Sequence, residues 1–354
     1  MDDGEWTEQR MENTSATLSL ERGKRYDFYV VAANAGGRSM KSEVLSAYLA
    51  PDEKAPMVLI VNNFNQTYGP QWFADSTYAG IVPNTYAVED GLSMAYIGEQ
   101  NDLTRSHKWQ DDDNCGWGMC YRDYQGTIVK GNTHDYPTLH GRVLQELGYS
   151  YISINAEALT EIDSTFAIVD IIAGKERSTD STAVLPQHLQ QALQHYLIRG
   201  GKVLLSGSYL GSGMARPADK LWAEQVLHYG LAAEKATRSG RVQCVNNTQC
   251  VIRTRPNPDG LFAEAAEGLK PMNGAQRAGI YQDMRVGAGV LWKGVSTAYP
   301  PDIHLTSGTL VWGFPLEAAE DFETIYKYSI EQLMAPLEQP QQLATNKRAK
   351  NKKR

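Results

Sequence analysis

The chain has 354 residues, enough for roughly two or three domains and at least one large apolar core. It is 42% hydrophobic and 21% charged, as globular proteins are, and its net charge of −7 argues against a nucleic-acid surface on the body. No window approaches the roughly 20 apolar residues that span a bilayer, which excludes a transmembrane helix.

The start, "MDDGEWTEQR", has neither the basic nor the apolar region of a signal peptide. Alternation then sets in. "YDFYVVAANAGGRSMKSEVLSAY" places Tyr26, Phe28, Val30 and Ala32 on one face, turns at Gly36-Gly37 and returns in a strand ending near Tyr48. Two strands cannot bury a face alone. "LERGKRYDFYVVAANAGGRSMKSE" resembles the last two strands of a fibronectin type III domain, including the Leu20 to Tyr26 spacing of its tyrosine corner. The resemblance implies a partial β-sandwich over residues 1–49, an N-terminally truncated chain and a signal peptide lost with the missing part.

Residues 50–56, "APDEKAP", read as a proline-bounded linker. "MVLIVNN" after it is a continuous apolar run, as in a strand buried on both faces, and similar runs follow at "YSYISIN", "FAIVDIIAG", "KVLLSGS" and "GTLVWGFP". Between and after them lie helical patterns: "YPTLHGRVLQELG", "PQHLQQALQHYLIRGG", "ADKLWAEQVLHYG" and "EAAEDFETIYKYSIEQLM". Alternating strands and helices predict an α/β domain over 57–335 with a doubly wound, mostly parallel sheet. It carries an insertion at 63–136 and a β-rich excursion at 235–305. The tail, 336–354, ends in "NKRAKNKKR" and reads as disordered; without its six positive charges the body goes from −7 to −13.

Four cysteines form two local pairs, Cys115 with Cys120 and Cys244 with Cys250. "QCVNNTQCV" reads as a hairpin that a disulfide clips, and two such bridges would place the protein in an oxidising compartment, secreted, periplasmic or at the cell surface.

Open α/β sheets bind ligands beyond the carboxyl ends of their strands, and about seventy residues leave that edge after the first core strand, against a usual connection of roughly 2–6. Their second half holds "HKWQDDDNCGWGMC" and "GNTHDYPTLHG". In an extended segment Asp111 and Asp113 share a face, so both carboxylates can converge on a divalent cation such as calcium, on a sugar hydroxyl, or merely on water as an acidic turn. Trp109 and Trp117 fit sugar-stacking platforms or the insertion's own small core. His107, Asn63, Asn132 and Asp135 are candidate substrate contacts. His134 and His140 flank Pro137 at a helix start, where the dipole favours a neutral imidazole that acts as base or ligand, or where both are simply hydrogen-bonded beside a capping Asp135. In "VLLSGSYLGSG", Ser206 or Ser208 sits where a nucleophile is held up at a sheet edge, although a glycine-serine turn also serves only to leave the strand.

The core from about 56 to 334 resembles the class I glutamine-amidotransferase-like α/β fold, with "LQHYLIRGGKVLLSGSYLGSG" leading to the position of that fold's cysteine nucleophile. "TLVWGFPLE" is similar to its last strand: Phe314 and Glu317 keep their places, and Pro315 stands where histidine should be. With neither cysteine nor histidine, glutaminase activity does not carry over. Together with "VLIVNNFN", "DDDNCGWG" and "GNTHDYPTLHG", the chain resembles secreted, multidomain bacterial proteins of the xanthan lyase-like, golvesin-associated family. That resemblance implies action on a polysaccharide or cell-envelope glycan, by a hydrolase or lyase using Asp111, Asp113, His134 and His140, with Ser208 as hydrogen-bond donor. The rival is a non-catalytic glycan-binding or scaffolding module with a degenerate amidotransferase-like site. A third reading is a serine amidase or peptidase with His304 as base.

Overall fold

The computed structural model describes residues 6–39, 42–64, 72–74, 76–77, 79–81, 100–101, 128–129, 135–178, 183–214, 216–254, 261–263, 265–295 and 305–337. Trp109, Asp111, Asp113, Cys115, Cys120, His107, Asn132, His134 and His304 lie outside them.

The N-terminal hairpin comprises β1 (Arg25–Phe28), β2 (Ala33–Asn34), β3 (Gly37–Arg38) and β4 (Leu45–Tyr48). β5 (Met57–Asn62) opens the core, and its long excursion contributes two short hairpins, β6 (Trp72–Ala74) with β7 (Ala79–Ile81) and β8 (Gln100–Asn101) with β9 (Ile128–Val129). Then come α1 (Tyr136–Glu146), β10 (Ser150–Asn155), β11 (Phe166–Gly174), α2 (Gln187–Ile198), β12 (Lys202–Gly207) and α3 (Pro217–Trp222). The β-rich part holds β13 (Tyr229–Ala233), β14 (Arg241–Cys244), β15 (Gln249–Val251), β16 (Gly268–Pro271), β17 (Gln276–Tyr281) and β18 (Gly287–Val295). β19 (Thr306–Trp312) and α4 (Phe322–Met334) close the core.

One sheet of 11 strands runs β1-β4-β10-β5-β11-β12-β19-β18-β17-β14-β15. Its centre, β10-β5-β11-β12-β19, is parallel throughout. The flanks are antiparallel, so the expectation of a mostly parallel sheet holds for the centre and fails for the whole. The hairpin is the reason on one side: β4 pairs with β10 and carries β1 outward. The excursion is the reason on the other, since β18 returns beside β19 and adds three more strands.

Apolar runs produce this centre because each strand is covered on both faces. Val58 and Ile60 of β5 pack with α1 and α4, while Leu59 and Val61 pack with α2. α1 buries His140, Gly141, Val143 and Leu144, one stripe at helical spacing, and ends before Gly148 in the left-handed region at φ 78°. α2 buries Leu189, Ala192, Leu193, Tyr196 and Leu197. Each buried leucine or valine among them contributes about 1.5–3 kcal/mol on leaving water. α4 starts where Asp321 accepts from the Thr324 N–H at 3.1 Å. α3 departs from expectation: its last turn widens into a π-type turn over 223–227 and stops at His228, at φ 61°, before Gly230 is reached. Among the described residues no helix is long and apolar enough to cross a membrane.

The second cysteine pair is a correction. Cys244 and Cys250 are buried free thiols. The hairpin they flank forms, but Val242 faces Cys250 and Gln243 faces Gln249, so the cysteines stand diagonally across it. Diagonal neighbours are about 7–8 Å apart at Cα, beyond the roughly 4.4–6.8 Å that a disulfide spans.

Candidate functional site

In the parallel centre the first strand in sequence, β5, lies between β10 and β11, so chain direction across the sheet reverses between β5 and β11. Crevices at such a reversal are where open α/β sheets bind ligands. The carboxyl ends meet there in register: Asn62 beside Ile172, and Ile172 beside Ser206, which neighbours Trp312. Phe64 then crosses over Gly174, whose φ of 48° and contact with the Phe64 ring leave no room for a side chain. Its ring stacks 6.1 Å from that of Tyr136, which fixes the start of α1 above the same edge.

Beneath this edge, on the α1 and α4 face, lies a fully buried charge cluster. His140 Nδ1 is 2.7 Å from Asp170 Oδ2 and its Nε2 is 3.0 Å from Glu317 Oε1. The Tyr326 hydroxyl donates to the same Asp170 oxygen at 2.6 Å, and the Phe322 ring lies 4.8 Å from the imidazole. Burial alone would lower the imidazole's pKa. The Asp170 charge and hydrogen bond, with Glu317 in support, outweigh it and push His140 up to about 9. The ring is therefore an imidazolium at neutral pH with both N–H groups donating. The neutral imidazole expected from the helix dipole is overturned, because two adjacent carboxylates outweigh a partial charge.

Asp135 precedes α1, yet its side chain does not cap the helix; Oδ1 accepts from the Val44 N–H at 3.1 Å and so ties α1 to the hairpin. Asn63 is buried and donates through Nδ2 to the Val184 carbonyl at 2.7 Å. Ser206 and Ser208 are fully buried, and neither hydroxyl has a hydrogen-bond partner among the described residues. Among these residues no group of three or more His, Cys, Asp or Glu side chains is arranged to hold a metal ion.

Several residues at the edge escaped the sequence reading. Lys175, just past β11, places Nζ 3.2 Å from the Phe262 ring centre, and the Arg177 guanidinium lies 5.8 Å from that of Tyr209. Glu267 reaches from the excursion to the loop after β12, where Gly211 N–H donates to it at 2.5 Å and Ser212 N–H at 2.9 Å. Asp170 did leave a signal: one aspartate within "FAIVDIIAG", an otherwise apolar buried strand, requires a buried partner.

No family model and no curated protein matches the chain. Among solved structures it is similar to the exo-beta-1,4-mannosidase Op5Man5 from Opitutaceae bacterium strain TAV5, at 9% identity and TM-score 0.39, over 80% of this chain and 37% of that one. A putative GMP synthase subunit from Thermoplasma acidophilum is similar at 12% identity and TM-score 0.33, over 55% of this chain and 87% of that one. The chain thus spans little more than a third of the mannosidase. Both likenesses are too weak to place it in either fold or to transfer an activity.

Proposed function

We propose that the chain is a glycan-binding α/β module, secreted or at the cell envelope, whose amidotransferase-like edge binds a ligand without a covalent step. The observation that carries this reading is the engagement of His140, whose two ring nitrogens donate to Asp170 and Glu317. A protonated imidazole bound on both sides takes no proton from a serine, and an unactivated serine is a weak nucleophile. In the amidotransferase-like resemblance Glu317 would orient a histidine at the place of Pro315. Here its histidine comes from α1, and the cluster fastens α1 and α4 to the sheet. The glycan part of the reading rests on the sequence resemblance and on the tryptophan- and aspartate-rich stretch 107–120.

The test is a glycan array combined with a polysaccharide-degradation screen on the full chain and on an Asp111→Ala/Asp113→Ala variant, each with and without calcium. Binding without degradation is the expected result. Degradation by the wild type that disappears in the variant would replace this reading with a lyase or hydrolase built on the insertion. Absence of binding to every glycan would remove the ligand class.

A further inference from the structure

The sequence holds one Asn-Gly pair, Asn273-Gly274. It makes the two-residue turn between β16 and β17, with φ of 46° and 83°, closed by the Ala275 N–H on the Met272 carbonyl at 2.9 Å. Left-handed values at both central positions are those of a type I′ turn, which favours asparagine followed by glycine. This turn is fastened to the end of α3. Asn273 Nδ2 donates to the Glu224 carbonyl at 2.6 Å, and the Met272 N–H donates to the His228 carbonyl at 2.9 Å. Glu224 lies in the π-type turn, and carbonyls at a helix end need partners from outside the helix. His228 closes that turn in the left-handed region, with its ring stacked 3.9 Å from Trp292. An exposed asparagine side chain thus helps to hold the place where α3 stops.

We propose that Asn273 is a self-modification site, where deamidation through a cyclic imide replaces this fastening with a carboxylate that repels the Glu224 carbonyl. Both residues of the pair are exposed, so water and hydroxide reach them. Among the described residues the Gly274 N–H makes no hydrogen bond, and nothing lies within 4 Å of where a Gly274 Cβ would stand. Ring closure therefore meets no obstruction, and glycine gives the backbone the freedom to turn toward the carboxamide. Asn34, Asn155 and Asn247 are followed by Ala35, Ala156 and Thr248, whose side chains hinder the same approach. In the reaction the Gly274 nitrogen loses its proton and attacks Asn273 Cγ; the bond from Cγ to Nδ2 breaks, and Nδ2 takes up a proton and leaves as ammonia. Water then opens the five-membered imide. Attack at Cγ gives aspartate, and attack at the backbone carbonyl gives isoaspartate, whose chain runs through the former side chain. No oxidant or reductant takes part. The aspartate has only acceptors to offer the Glu224 carbonyl, and the isoaspartate lengthens a turn that fits two residues of ordinary backbone. The Asn273-Glu224 bond must open before the ring closes, so the folded protein reacts more slowly than the unfolded chain.

The experiment incubates the full chain at mildly alkaline pH and follows it by peptide mapping. The peptide holding Asn273 should gain about 1 Da, as an amide becomes an acid. It should do so roughly tenfold or more faster than the peptides holding Asn34, Asn155 or Asn247, because only its next residue lacks a side chain. The product should contain isoaspartate, and hydroxylamine, which attacks the imide, should cleave the chain between 273 and 274. Hydrogen exchange of the 222–229 peptide should rise severalfold in an Asn273→Asp variant, which lacks the donor to Glu224. An Asn273 that keeps its amide while one of the other three reacts overturns the site. A product free of isoaspartate overturns the cyclic route, and unchanged exchange in Asn273→Asp overturns the loss of the fastening. The wild-type map decides the site even if the variant fails to fold.

Discussion

Glu317, just past the last parallel strand, accepts a hydrogen bond from Nε2 of His140, 177 positions earlier in the chain. The same imidazolium holds Asp170 in the middle of β11, so one side chain bridges carboxylates from two neighbourhoods of the sheet. Replacing it should be severe. His140→Leu leaves two buried carboxylates without their cation, which costs about 3–5 kcal/mol. Urea denaturation measures this directly. Apolar replacement of all three residues, His140, Asp170 and Glu317, should recover most of the loss, since a buried ion cluster often does no better than a packed apolar one. A loss below about 1 kcal/mol for His140→Leu would mean that the cluster does not carry the charges described.

Stability should also fall with rising pH in two stages. His140 has a folded value of about 9, above its ordinary 6.5, so its contribution is complete below 6.5 and is lost as pH rises through 9. Glu267 has a folded value of about 7, above its ordinary 4.5, so its contribution is complete below 4.5 and lost as pH rises through 7. Thermal unfolding across this range, compared with His140→Gln, should show the upper stage only in the wild type. A wild-type protein that gains stability from pH 7 to 9 would contradict the assignment of His140 as an imidazolium.

The order of strands and helices was legible because buried strands and one-sided helices write their periods into sequence. "MVLIVNN" became β5, and Pro137 and Gly148 bounded α1. The site was less so. His140 stood out by type and Asp170 was passed over in its apolar strand, but pairing His140 with Glu317 needs the fold, since nothing local relates positions 177 apart. Sheet edges were also hidden. "RYDF" and "LSAY" read as a hairpin, while the attachment of β4 to β10 depends on an antiparallel register that only tertiary packing selects. The cysteine pair misled because spacing along a hairpin does not say whether two side chains face each other or stand diagonally.

That diagonal placement makes a chemical prediction. Burial raises both thiols, Cys250 to about 12 and Cys244 further still, so neither forms thiolate at neutral pH. Native protein treated with iodoacetamide should leave Cys244 and Cys250 unmodified, and unfolded protein should be alkylated at both. Peptide mapping of protein made in an oxidising compartment should find no Cys244–Cys250 bridge; finding one would overturn the diagonal register.

Ser206 and Ser208 decide whether the edge retains covalent chemistry. Ser206 sits in one row with Ile172 and Trp312, and its hydroxyl, like that of Ser208, lacks a partner among the described residues. Removing a hydroxyl that makes no hydrogen bond to the described residues sacrifices little, so Ser206→Ala and Ser208→Ala should each shift stability by less than about 1 kcal/mol. A fluorophosphonate probe, which labels activated serines, should leave the wild type unlabelled. Labelling abolished by either substitution would establish an activated nucleophile. It would require a base beyond His140, whose nitrogens are both engaged, and would restore the serine hydrolase reading with His304 as the first residue to test.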